Sequence, residues 1–306
     1  MSNHVLHVDE KQLMEMEKHY GNKKIPPPPG ALFRVKSNDV VITGYQSGKV
    51  LFQGKDVTKE VLKWDRTQMD RVQESEASYV SQSTDTLFHR AHIGSDEAGT
   101  GDYFGPITVA AVFLEEEKIA ELKQLGVRDS KTLSDASIKK LAQEVIRLDI
   151  PYSSLVLDNG KYNDLQQAGW SQGKMKAVMH HYAIQHVLQK INGKKTEGII
   201  IDQFCEPAVY RRHLKSENLQ IAENTHFLTK AESKSIAVAA ASIIARTRFV
   251  DELDKLALKA DVELPKGAGE NVDRQIANLI RKHGEKALYL YGKVHFANTK
   301  KAYQYL

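Results

Sequence analysis

The stretch Ile93-Gly94-Ser95-Asp96-Glu97-Ala98-Gly99-Thr100-Gly101-Asp102, continued by Tyr103-Phe104-Gly105-Pro106, decides how this chain is read. Asp96 and Glu97 are adjacent carboxylates at the end of a short apolar run. Side-by-side carboxylates repel, and they are tolerated when solvated, when one is protonated, or when a divalent cation neutralises them. The glycines that follow let backbone N–H groups approach a ligand closely, because no Cβ stands in the way. Acids beside open backbone donors suit a phosphate-handling site. A solvated hairpin turn would carry the same residues, so the rest of the chain must decide between the two.

Working outward, 306 residues with a net charge of +4 are enough for one large domain or two ordinary ones. The single cysteine, Cys205, excludes an intramolecular disulfide framework and a structural zinc site built on cysteines. Met1 to Glu10 has no apolar centre and no run is long enough to span a bilayer, so a soluble, cytoplasmic protein with no membrane partner is expected. A mild positive charge permits a polyanionic partner without requiring one.

Before the acidic stretch lies a small unit. Val5 to Tyr20 reads as a strand and then a helix, with Asp9 as N-cap and Gln12 in the capping-box position. The run Pro26-Pro27-Pro28-Pro29-Gly30 is a stiff connector. Strands follow at Leu32–Lys36, Val40–Thr43 and Lys49–Gln53, then a helix capped by Thr58. Arg34, Lys36, Lys49 and Lys55 lie in or beside these strands. They form either an ordinary solvated face or a basic face for a nucleic-acid backbone. The expected division is 1–64 for this unit, a polar linker over 65–85, and 86–306 for a second domain.

That second domain is α/β in pattern. Strands are expected at Ala91–Asp96, Ile107–Leu114, Tyr152–Leu157, Gly198–Asp202 and Thr225–Thr229. Helices are expected over Glu115–Leu125, from a Ser134 cap to Leu148, and over Lys174–Ile191, Glu206–Leu214 and Asn271–His283. A long helix reaches about Leu258 with Glu232 at its start, and Lys286–Leu306 reads as a basic, aromatic helical tail. Asp202 follows Ile199-Ile200-Ile201, so it stands at the C-terminal edge of a buried strand, where α/β proteins place ligands. Glu232 precedes the small residues Ala237–Ser242, which let a helix pack closely on the sheet. Asp96, Glu97, Asp202 and Glu232 thus come from ends of elements of one sheet, and such a set can hold two divalent cations roughly 3.5–4 Å apart. Consecutive residues of a regular strand point to opposite faces, so the strand is expected to end or bulge at Asp96-Glu97.

The quoted stretch, together with Asp129-Ser130-Lys131-Thr132-Leu133-Ser134, Ile201-Asp202, Ala231-Glu232-Ser233-Lys234 and Ala239–Arg246, resembles the type 2 ribonucleases H. Within them it is similar to the bacterial HIII branch. Thr100 stands where the HII branch usually has arginine, Glu232 stands where it has aspartate, and the Ser47-Gly48-Lys49-Val50 hairpin resembles the TATA-binding-protein-like module of HIII. The resemblance implies a ribonuclease H-like catalytic domain, a mixed sheet flanked by helices, behind a small α+β TATA-binding-protein-like domain that binds substrate. It implies endonucleolytic hydrolysis of the RNA strand of RNA–DNA hybrids, leaving 5′-phosphate and 3′-hydroxyl ends. Asp96, Glu97, Asp202 and Glu232 would be the ligands of two Mg²⁺ or Mn²⁺ ions. Gly99, Thr100 and Gly101 would meet the 2′-hydroxyl, and Ser130, Lys131 and Ser233 would also contact substrate. Lys174, Lys176, Lys230 and Lys234 are further phosphate candidates, Asp102 is a turn acid, and His180 and His181 are packing or surface residues. A monomer is expected. Incision at single ribonucleotides in DNA, or hybrid binding without catalysis, are the competing functions.

Overall fold

The protein is described from a computed structural model covering residues 2–306 apart from 22–23, 38–39, 46, 55–56, 58–59, 62, 65–85 and 128–132. The expectations for Lys55, Thr58, the 65–85 linker, Ser130 and Lys131 fall outside the described residues. The chain divides into two compact units, Met1–Ser83 and Thr84–Leu306.

The first unit contains β1 (Ser2–His7), α1 (Glu10–His19), β2 (Ala31–Ser37), β3 (Val40–Tyr45) and β4 (Lys49–Gly54). Asp9 caps α1 as its sequence demands, accepting from Gln12 N at 2.7 Å. The strands form one antiparallel sheet in the order β1-β4-β3-β2. Alternation does the sorting. Phe33, Val35, Ile42, Val50 and Phe52 are buried with Leu13, Met16 and Tyr20 of α1, while Lys36 and Lys49 are exposed and Arg34 is half-buried. The basic residues therefore lie on the sheet face opposite the core.

The second unit is built on the sheet β7-β6-β5-β8-β9. Its elements are β5 (His92–Ala98), β6 (Ile107–Leu114), α2 (Glu116–Gln124), α3 (Asp135–Arg147), β7 (Tyr152–Leu157), α4 (Asn159–Gln167), α5 (Gln172–Ile191), β8 (Gly198–Asp202), α6 (Pro207–Lys215), β9 (Thr225–Leu228), α7 (Ile236–Ala260) and α8 (Glu270–His283). β5, β6 and β7 pair antiparallel, and β8 and β9 join β5 in parallel, so the sheet is mixed. β6 is buried along its whole length, as a central strand covered on both faces must be. One face carries Ala110, Val112 and Leu114 against α2, α3 and α7. The other carries Val109, Ala111 and Phe113 against α5, Ile199 and Ile201.

The small residues of α7 have the consequence expected of them. A Cβ on Gly94 would lie 2.2 Å from the Val238 backbone nitrogen, so this helix rests directly on β5. Two expectations are corrected. α7 begins at Ile236 with Ser235 as its cap, and Glu232 belongs to a separate 3-10 turn, Ala231–Ser233. The C-terminal segment is not one helical tail. It is broken into Leu288–Tyr291 and Ala297–Lys301, and Lys293 between them is fully buried. Among the described residues no helix is long and apolar enough to cross a membrane.

Candidate active site

β5 carries the first two acids. Its pairing with β8 stops at Ser95↔Ile201, where β8 itself ends in Asp202 one residue later. Its pairing with β6 runs unbroken through Asp96↔Ala110, Glu97↔Val109 and Ala98↔Thr108. The expected end or bulge at Asp96-Glu97 is therefore absent: β5 stays regular on the β6 side and loses a partner on the β8 side alone. Alternation then sends the acids to opposite layers. Asp96 is buried and hydrogen-bonded to Ser242 of α7, and its Oδ1 accepts from Glu97 N at 2.7 Å. Glu97 faces α5, where Lys176 Nζ donates to Oε1 at 2.7 Å and His180 Nε2 meets Oε2 at 2.9 Å.

The support behind Glu97 is layered. Ser95, two residues earlier on the same face of β5, donates to the Ala110 carbonyl at 2.8 Å. Its one hydrogen being spent, it receives the Nδ1–H of His180 at 2.7 Å. Phe204 stacks on His180 with ring centroids 5.2 Å apart, and the Lys176 ammonium sits 4.1 Å from the same ring. Each Glu97 oxygen keeps a second lone pair, so these bonds fix the carboxylate without exhausting it. Asp202 accepts from Ala231 N at 2.7 Å, which ties the end of β8 to the turn bearing Glu232.

The charges of the four acids are felt between them. Burial pushes Asp96 up to about 8, with the charges of Glu97 and Asp202 adding to it against the Ser242 bond. Burial also pushes Asp202 up to about 6; the Ala231 N–H opposes this, and the charges of Glu232 and Glu97 reinforce it. Burial alone would raise Glu97, yet the His180 and Lys176 interactions outweigh it and hold that carboxyl below its ordinary value. Crowded hard oxygen donors of this kind match Mg²⁺ or Mn²⁺ rather than a soft metal. Among the described residues, no three His, Cys, Asp or Glu side chains are close enough to hold one ion. The donor chemistry fits a divalent cation, while the side chains as placed are not yet gathered around one.

The glycine turn lies beside the acids. Gly99 has φ +85°, and a Cβ there would stand 2.2 Å from the Pro106 carbonyl oxygen, so the fold itself requires glycine. At Gly101 the situation is reversed. It is exposed, and a Cβ would meet nothing within 4 Å. Gln172 Nε2 donates to the Thr100 carbonyl at 3.0 Å, and Asp102 Oδ1 accepts from Gly267 N at 2.6 Å, which makes Asp102 the turn acid it was expected to be. Ser233 is exposed beside Glu232 and donates its hydroxyl to the Lys230 carbonyl at 2.7 Å.

Sequence reasoning missed two residues here. His180 is a buried partner of Glu97 rather than a bland helix residue. Lys176 is buried on Glu97 and not displayed for phosphate, and Lys174 is paired with Glu217 at 2.5 Å. Their i, i+4 spacing on a helix leading into the site was the available signal.

A family model described as Ribonuclease HII matches residues 93–299, and one described as a domain of unknown function, DUF3378, matches residues 3–77. Ribonuclease HIII of Oceanobacillus iheyensis is 53% identical over 310 residues, covering 100% of each chain. Ribonuclease HIII of Bacillus subtilis is 46% identical over 308 residues, covering 99% of this chain and 97% of its own. The crystal structure of Bst-RNase HIII in complex with Mn²⁺ matches with a TM-score of 0.69 at 42% identity, over 99% of this chain and 98% of that one. Likeness along the whole length, the matched 93–299 segment and the shared fold make this chain a member of the ribonuclease HIII family, ribonucleases H that cleave the RNA strand of RNA–DNA hybrids.

Proposed function

We propose that Asp96, Glu97, Asp202 and Glu232 are the catalytic carboxylates of this ribonuclease and the residues that hold two divalent cations, Mg²⁺ or Mn²⁺. The observation that carries this is where the acids stand: Asp96 and Glu97 follow the last β5–β8 pair, Ser95↔Ile201, Asp202 ends β8, and Asp202 accepts from Ala231 N beside Glu232, with the raised Asp96 and Asp202 in keeping with that proximity. The Mn²⁺ bound by the similar Bst-RNase HIII supports it. When bound, the two ions supply an activated water and neutralise charge on the scissile phosphate and the leaving 3′-oxygen, so the ends are 5′-phosphate and 3′-hydroxyl. The chain's own part is placement. Lys176 and His180 keep Glu97 ionised and aimed, the Ala231 N–H fixes Asp202, and the Gly99-Thr100-Gly101 backbone meets the ribose 2′-hydroxyl. Ser130, Lys131 and Ser233 contact the substrate, and the sheet face bearing Arg34, Lys36 and Lys49 grips the hybrid as a tethered second site. The protein acts as a cytoplasmic monomer.

A side-by-side assay tests this: a uniform RNA–DNA hybrid and a DNA duplex with one embedded ribonucleotide, each with Mg²⁺ and then Mn²⁺. Cleavage along the uniform hybrid is expected, and hybrid binding is expected to weaken when residues 1–83 are removed. Cleavage confined to the single ribonucleotide would instead favour the incision function, and unchanged binding by the shortened chain would remove the gripping role.

The glycines give a sharper test of the ribose contact. Gly101→Ala should leave the thermal midpoint within about 2 °C, since its Cβ meets only open space, yet lower hybrid cleavage about tenfold by intruding on the sugar. Gly99→Ala should destabilise the fold itself. Full cleavage by Gly101→Ala would place the ribose elsewhere.

A further inference from the structure

Lys293 is a lysine with no surface. It is 0% exposed, between two short C-terminal helices, and no acid of the proposed mechanism touches it. Among the described residues it makes no ion pair. Its Nζ donates to the Asp102 carbonyl at 2.8 Å and to the Gly105 carbonyl at 2.6 Å. Its own backbone N–H donates to the Tyr103 carbonyl at 2.9 Å. Three of the four carbonyls from Asp102 to Gly105 thus end on one residue. The Gly105 carbonyl also accepts Asn159 Nδ2 at 2.9 Å, from the start of α4.

A buried ammonium without a carboxylate is costly, and here burial pushes the amine down to about 7 even with Asp102 opposing. A methionine would fill the same space and leave no charge to desolvate. What an apolar residue lacks is the ability to draw two carbonyls toward one point. Those carbonyls belong to the turn that leaves Gly99-Thr100-Gly101. The turn is pinned from three sides: by Gln172 at Thr100, by Gly267 at Asp102, and by Lys293 beneath.

We propose that Lys293 is a positioning residue for RNA-strand cleavage: its two carbonyl bonds hold the Asp102–Gly105 segment, and through Asp102 the Gly99–Asp102 turn, in the shape that seats the ribose beside the four acids. The inference rests on the assignment of that turn to the ribose. Hybrid affinity comes mainly from phosphate contacts spread over a wide surface, whereas rate depends on placement at one nucleotide. Loss of Lys293 therefore appears in kcat and not in KM.

The test uses the full-length protein with Mn²⁺ and a uniform hybrid. Lys293→Met should lower kcat about tenfold or more while KM stays within about threefold. Asn159→Ala, which removes the other donor on Gly105, should lower kcat in the same sense by about threefold. Amide exchange in the 99–105 segment should quicken in both, with β6 unchanged. If Lys293→Met does not fold, Asn159→Ala decides alone. Wild-type kcat and exchange in the variants, or a loss confined to KM, overturn the role of Lys293 while leaving the four acids intact. A wild-type protein that cleaves no hybrid overturns the ribose reading, and the role of Lys293 with it.

Discussion

Asp202→Asn is expected to reduce hybrid cleavage by roughly two to three orders of magnitude, with hybrid binding in the absence of metal within about twofold of wild type. Asparagine keeps the shape of aspartate and keeps an oxygen to accept from Ala231 N, so the turn carrying Glu232 should hold its position. What disappears is one negative charge. Asp202 lies where its charge helps raise Asp96 and where those of Glu232 and Glu97 help raise Asp202 itself, so the set loses the member that links both layers. Affinity for Mn²⁺, measured by calorimetry, should fall with the rate. Wild-type cleavage by this variant would show that the acids are structural and that catalysis lies elsewhere.

The second large effect concerns stability. Asp96 has an ordinary value of 3.8 when exposed and is raised to about 8 in the fold, chiefly by burial. Between those values the folded protein retains a proton that the unfolded chain has released. Folding stability contributed by this group is therefore fully present below the lower value and is lost as pH rises toward the upper one. Asp96→Asn fixes the side chain in a neutral state. In metal-free protein it should raise the thermal midpoint by about 5 °C or more near pH 8 and change little near pH 4. Saturating Mn²⁺ should reverse the order, because a cation compensates the wild-type carboxylate and gains less from an amide. A midpoint difference that is the same at both pH values would contradict this origin. On the proposed assignment the same substitution should also abolish cleavage.

Much of this was legible in the residues. The Asp9 and Ser134 caps, the Ile199-Ile200-Ile201 strand ending in Asp202, and the eight-residue run of β6 each carry a local signal strong enough to survive folding. The four proposed acids stand out in the sequence because two of them are adjacent and two lie in recognisable motifs. α4 was not foreseen. Its apolar contact with the core is confined to Tyr162 and Leu165, too short a stripe to show a period, and it also buries Asn159 and Asn163, whose side chains bond backbone of the 105 and 289–294 segments. A helix held by long-range amide bonds leaves no periodic trace. Lys176 and His180 escape a sequence reading for a related reason: a polar residue on a helix looks solvated until the partner it meets, here Glu97 some 80 positions away, is known. The strongly helical run Ala237–Ser242 draws Glu232 into the helix when only the sequence is read, yet the 3-10 turn before Ser235 takes it instead.

The unbroken pairing of β5 through Ala98 sets a condition on how this protein can vary. Because Asp96 answers to α7 and Glu97 to α5, the two hydrophobic layers are each attached to one acid by a rigid strand with no slack between them. Gly94 already leaves α7 no room to move closer. A substitution that thickens either layer must therefore shift its acid relative to the other, and mutations deep in the two cores, far apart and without shared contacts, should be coupled in activity even where they are additive in stability.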